Sequence, residues 1–164
     1  MAILNPTELS AEAQVIATET AQGANTATRI GQMYQDIIDS GVYTVKVSLT
    51  SAEILQLNST PIELIAAQGT GTLIRLIAGT FQYNYGTTSY TAGNVRIYYT
   101  SGGSYIMQNA ILGNGSYGIS YGSFTTSPVF VTPENEPLML DSNFNPTDGD
   151  GTLDIFLTYS VIEL

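Results

Sequence analysis

The end of the chain alternates without a break. From Thr152 to Ile162, the residues Leu153, Ile155, Leu157, Tyr159 and Val161 fall on one side, and Asp154, Phe156, Thr158 and Ser160 fall on the other. A period of two marks a strand with one buried face. Such a strand needs neighbours to complete its hydrogen bonds and a second layer to cover its apolar side. The upstream sequence supplies candidates for both. Val42 to Leu49 is β-branched and aromatic, and Ile62 to Ala67 follows Pro61. Thr72 to Tyr85 is long and apolar, with Gly79 as the expected bulge, and Asn94 to Thr100 leads into the hairpin signal Ser101-Gly102-Gly103. Tyr117 to Phe124, Val129 to Val131 and Leu138 to Leu140 are further candidates. Ser104 to Leu112 fits a short helix or a strand equally well. Thr50 or Ser51 caps a helical turn over Ala52 to Leu57, with Glu53 in its first turn. Many short strands separated by turn residues predict a mainly β fold. The expected form is an antiparallel β-sandwich or jelly roll over residues 42–164.

A different pattern precedes Val42. Asn25 to Gly41 reads as a helix, with Asn25 as N-cap and Gly41 as its terminator. Ala27, Ile30, Tyr34 and Ile37 form one stripe, which Met33 and Ile38 widen. A helix this short does not hold in water by itself. Two readings fit the stripe. It docks on its own β domain, or it joins copies of itself in a short symmetric bundle such as a trimer. The heptad pattern is too brief to decide between them. The expected oligomer interface is Ala27, Ile30, Met33, Tyr34 and Ile37. Residues 1–41 then form an N-terminal arm and helix, with a first short helix predicted over Thr7 to Thr20.

Composition removes several functions. The chain has no cysteine and no histidine. It therefore lacks thiolate chemistry and the usual acid–base and metal-binding side chain. Serines are plentiful, but a serine triad lacks its base. Four basic residues stand against 14 acidic ones, a formal charge of −10. Arg29, Lys46, Arg75 and Arg96 are too scattered to form a footprint on nucleic acid or an anionic membrane. No run is long enough to cross a membrane as a helix. Met1 to Leu4 lacks the start of a signal peptide, so release from a cell would need another route, such as lysis.

Three constellations invite a chemical reading. Asp141, Asn143 and Asn145 alternate like the first ligands of a calcium loop. Pro146 and Thr152 occupy the places that need glycine and glutamate, which excludes an EF-hand. Asp148 and Asp150 leave an irregular cation site open, but a turn stabilised by Asx side chains is the preferred reading. Glu134 and Glu136 resemble a glycosidase pair, yet Pro133 and Pro137 bracket them as a surface turn. Tyr83, Tyr85, Tyr90, Tyr98, Tyr99, Tyr105, Tyr117 and Tyr121 crowd the middle of the chain. They suit either an adaptable recognition surface or rings buried between sheets. No catalytic residue, cofactor site or metal site is assigned.

Three segments resemble bacteriophage virion proteins. The first is Glu19-Thr-Ala-Gln-Gly-Ala-Asn-Thr-Ala-Thr-Arg-Ile-Gly-Gln-Met with Asp36-Ile-Ile-Asp-Ser. It is similar to the base of fibre-like proteins of phages and prophages, including those of Bacteroidetes. The second is Leu49-Thr-Ser-Ala-Glu-Ile-Leu-Gln-Leu-Asn-Ser-Thr-Pro-Ile-Glu-Leu. The third pairs Glu134-Asn-Glu-Pro-Leu-Met-Leu with Asn145-Pro-Thr-Asp-Gly-Asp-Gly-Thr-Leu-Asp. These two resemble a compact β domain of phage structural genes. The tyrosine-rich middle is weakly covered. The resemblance implies a non-enzymatic virion component, such as a head fibre, tail component or capsid decoration. It also favours the trimer, with other capsid or tail proteins as partners. The alternative is a receptor- or carbohydrate-binding module that recognises host surface glycans. Position on the virion is not encoded in these motifs.

Overall fold

The computed structural model describes residues 27–39, 41–91, 93–101, 105–124 and 133–164. Within them the strands are β1 (Val42–Leu49), β2 (Ile62–Ile65), β3 (Thr72–Asn84), β4 (Val95–Tyr99) and β5 (Tyr105–Asn109). They continue with β6 (Gly118–Tyr121), β7 (Ser123–Phe124), β8 (Leu138–Ser142) and β9 (Thr152–Glu163). Two helices are α1 (Ala27–Asp39) and α2 (Ser51–Leu55), and a 3-10 turn spans Ile111–Gly113. The expected helix over Thr7 to Thr20, the N-cap Asn25, the turn residues Gly102 and Gly103, and the strand Val129 to Val131 lie outside the described residues.

The strands form two antiparallel sheets, in the order β1-β9-β3-β6 and β2-β8-β4-β5-β7. The fold is mainly β, as the strand patterns require. From β1 in the first sheet the chain crosses repeatedly and returns so that its last strand lies between β1 and β3. The strand with the cleanest alternation is therefore paired on both sides. It meets β1 from Val42↔Ser160 to Leu49↔Leu153 and β3 from Thr72↔Glu163 to Asn84↔Thr152.

Alternation then dictates the core. Leu153, Ile155 and Leu157 of β9 are fully buried, and they share the interior with Phe81 and Tyr83 of β3. Val95, Ile97 and Tyr99 of β4, Met107 of β5, and Leu138 and Leu140 of β8 pack from the second sheet. Helix α2 adds Ile54, with Leu57 just beyond it. Its start is fixed by a capping box: the Glu53 N–H donates to Thr50 Oγ1, and the Thr50 N–H donates to Glu53 Oε2 at 2.8 Å.

Gly79 is not the bulge. The register slips between Leu76 and Ala78. This reverses the phase of β3, so Ile74 and Leu76 are buried before it and Gly79, Phe81 and Tyr83 after it. Gly79 is glycine for another reason: a Cβ there would lie 2.6 Å from Met107 Sδ. The ambiguous Ser104 to Leu112 divides into strand β5 and the 3-10 turn. Tyr117 to Phe124 divides as well. Strand β6 belongs to the first sheet and β7 to the second.

Candidate functional site

Helix α1 carries the expected interface. Its sequence places Ala27, Ile30, Met33, Tyr34 and Ile37 along one side. The structure describes three of those side chains. Ile30 and Met33 are half-buried, and the ring of Tyr34 is 60% exposed. Ala27 and Ile37 lie on the helix, but their side chains are outside the described residues. None of the described α1 side chains joins the core cluster. Gly31 faces open space: a Cβ added there would meet nothing within 4 Å. The sandwich fills its own interior without this stripe.

The tyrosines separate into two groups. Tyr83, Tyr90 and Tyr99 are buried. The Tyr83 and Tyr90 rings sit 6.1 Å apart, and the Tyr90 hydroxyl donates to the Gly151 carbonyl at 2.6 Å. The Tyr99 hydroxyl donates to the Ile74 carbonyl, and burial pushes its pKa up to about 12. These three follow the recess-filling reading. Tyr105, Tyr117 and Tyr121 are exposed, the last at 79%. They follow the surface reading: Tyr105 opens β5 of the second sheet, and Tyr117 and Tyr121 lie at β6, the edge of the first. Tyr85 and Tyr98 are half-buried, between the two groups.

The acidic loop is a clasp. Arg96 Nε and Nη2 donate to the two Asp141 oxygens at 2.8 and 2.7 Å. Asn143 Oδ1 accepts from the Asn94 N–H, and Asn145 Oδ1 accepts from the N–H groups of Asn58 and Ser59. Asp150 accepts from the Thr87 hydroxyl at 2.6 Å and from the N–H groups of Thr87 and Thr88. Asp148 takes a left-handed conformation, φ 68°. Asp141, Asn143, Asn145 and Asp150 thus tie the loop to distant segments, not to the backbone two residues on as an Asx turn would, and neither Gly149 nor Gly151 takes a positive φ. Among the described residues, no three acidic side chains converge as a cation site would need. Gly149 and Gly151 admit the buried tyrosines: a Cβ at Gly149 would lie 2.1 Å from the Tyr90 ring.

Glu134 and Glu136 are engaged separately. Glu134 Oε1 accepts from the Gly71 N–H at 2.5 Å, and Glu136 accepts from the Thr100 hydroxyl. Between them Asn135 (φ 53°) accepts from the Gly69 N–H at 2.9 Å. The segment is a turn that ties loops together.

Three carboxylates are held below their ordinary range. The Thr87 hydroxyl, followed by the Thr88 and Thr87 N–H groups, lowers Asp150. The Ser48 hydroxyl lowers Asp154, helped by Lys46. The Thr50 N–H and hydroxyl lower Glu53. Each binds a proton less readily folded than unfolded. Their stabilisation is complete above the ordinary values, 3.8 for aspartate and 4.5 for glutamate, and is lost as pH falls through the lowered ones. With no histidine, the thermal midpoint is expected to stay level from about pH 6 to 8 and to drop below about pH 4. Calorimetry across this range checks it. Asp150→Asn should lower the neutral midpoint and flatten the acid limb.

No protein-family model matches the chain, and no curated protein matches it in sequence.

Proposed function

We propose that this chain is a non-enzymatic structural component of a phage virion, gathered into trimers through α1. The observation that carries this reading is the apolar stripe of α1: of its described side chains Tyr34 is exposed, Ile30 and Met33 are half-buried, and none joins the core cluster. Fully burying a Leu- or Ile-sized side chain contributes roughly 1.5–3 kcal/mol, so a few per chain become worthwhile when several helices meet. The sheet order gives support by analogy. Its pattern of first and last strands side by side, with β3 and β6 beyond them, matches the two interleaved Greek keys of a jelly roll. That architecture is used by viral capsid and lectin domains, and fold alone does not fix function. The engagement of Glu134 and Glu136 in turn hydrogen bonds favours a structural over a hydrolytic role. The arm would attach to capsid or tail proteins, leaving the sandwich to project. Mass spectrometry of purified particles tests the location. The chain should appear in stoichiometric amounts with the capsid proteins, and its absence from intact particles would overturn the assignment.

A further inference from the structure

A polar cleft of about 390 Å³ opens at the free edge of the sandwich, where β6 ends one sheet and β7 ends the other. Its size falls within the range of small-molecule sites, roughly 300–1,000 Å³. Asn94, Gln108, Asn109, Asn114, Ser120 and Ser123 line it, with Ile111 beneath. The lining is wholly uncharged, although the chain carries a formal charge of −10.

Asn109 is the fixed point of the cleft. It is only 8% exposed. Its Nδ2 donates to Ser120 Oγ at 2.9 Å and to the Tyr121 carbonyl at 3.0 Å, which joins β5 to β6 across the two sheets. Both amide hydrogens are therefore committed. The two bonds fix the orientation of the amide, and its Oδ1 belongs to a side chain that lines the cleft. Asn94 Nδ2 lies 3.4 Å from Gln108 Oε1, so this pair is aligned too.

We propose that this cleft binds a neutral saccharide. Sugar hydroxyls both donate and accept, as do amide side chains and serine hydroxyls. A cationic ligand would find no carboxylate in the lining, and an anionic one no lysine or arginine. Sugars also present apolar C–H faces, and Tyr121, which lines the cleft, keeps its ring 79% exposed. Tyrosine among asparagine and serine offers rigid contact area beside adaptable hydrogen bonding. The proposal rests on the cleft alone. A monomeric chain that binds sugar would leave it intact while removing the assembly reading.

The test uses the full chain with maltotriose, chitotriose, lactose and, as the charged counterpart, 3′-sialyllactose. Saturation-transfer NMR and calorimetric titration measure binding at millimolar concentration. At least one neutral saccharide should bind in preference to sialyllactose. Asn114→Ala and Tyr121→Ala, both at exposed positions, should each weaken it about tenfold, equivalent to one lost good contact. Their thermal midpoints should match the parent chain. Absence of binding by all three neutral saccharides, preference for sialyllactose, or unchanged affinity in either variant would overturn the proposal.

Discussion

Replacing Gly122 with alanine is expected to destabilise the folded chain by about 1–3 kcal/mol, the usual penalty for forcing extra volume into a filled core. A Cβ at that position would lie 2.2 Å from Met107 Sδ, 2.5 Å from its Cγ and 2.9 Å from Phe81 Cε2. Both neighbours are fully buried. The backbone has little room to retreat, because the Gly122 N–H donates to the Gly79 carbonyl at 2.9 Å. A Cβ at Gly79 would lie 2.6 Å from the same sulfur. One methionine of the second sheet therefore sits against Gly79 of the first and Gly122 at the crossover between β6 and β7. Met107→Ala should cost about 2–5 kcal/mol through the cavity it leaves. The two substitutions together should cost clearly less than their sum, since removing the thioether frees the space that the new methyl group needs. Denaturant unfolding of the four proteins measures the coupling. Simple additivity would contradict this packing.

The second large effect concerns assembly. Ile30→Asp combined with Met33→Asp should convert the proposed trimer to monomers, because carboxylates placed on the stripe would have to be buried unpaired. The sandwich itself should be nearly unaffected, within about 0.5 kcal/mol, as for surface sites away from a core. A large fall in the unfolding midpoint of the isolated subunit would instead mean that the helix docks on its own sheets.

Much of the sandwich was legible from local pattern. The alternation of Thr152 to Ile162 gave the strand and, over Leu153, Ile155 and Leu157, its buried face; beyond them Tyr159 and Val161 are half-buried and Ser160, on the other side, is buried. The Thr50–Glu53 spacing identified the capping box. The β3 bulge was half legible: alternation breaks near Ile77, but glycine drew the assignment to position 79. Gly79 answers to Met107 of the other sheet, a contact that no local pattern records. The tyrosines were open to the same limit. Tyr83 follows Phe81 by two residues and shares its face, which is a usable signal of burial. The exposure of Tyr117 and Tyr121 depends on β6 being an edge strand, which is a property of sheet order.

Long-range partners explain the remaining gaps. Asp150 looks like a ligand in a run of acidic and amide residues, yet its partners Thr87 and Thr88 are more than 60 residues away. The cleft was not anticipated at all. Its walls come from Asn94 ahead of β4, from β5, β6 and β7, and from the turn after β5, so it exists only once the two sheets meet at Asn109.

The mass of the full chain in solution is the most direct measurement. Sedimentation equilibrium at neutral pH should give about three times the chain mass of 17.5 kDa, as the proposed trimer through α1 requires. A folded species of 17.5 kDa that holds this mass across the concentration range would contradict the account.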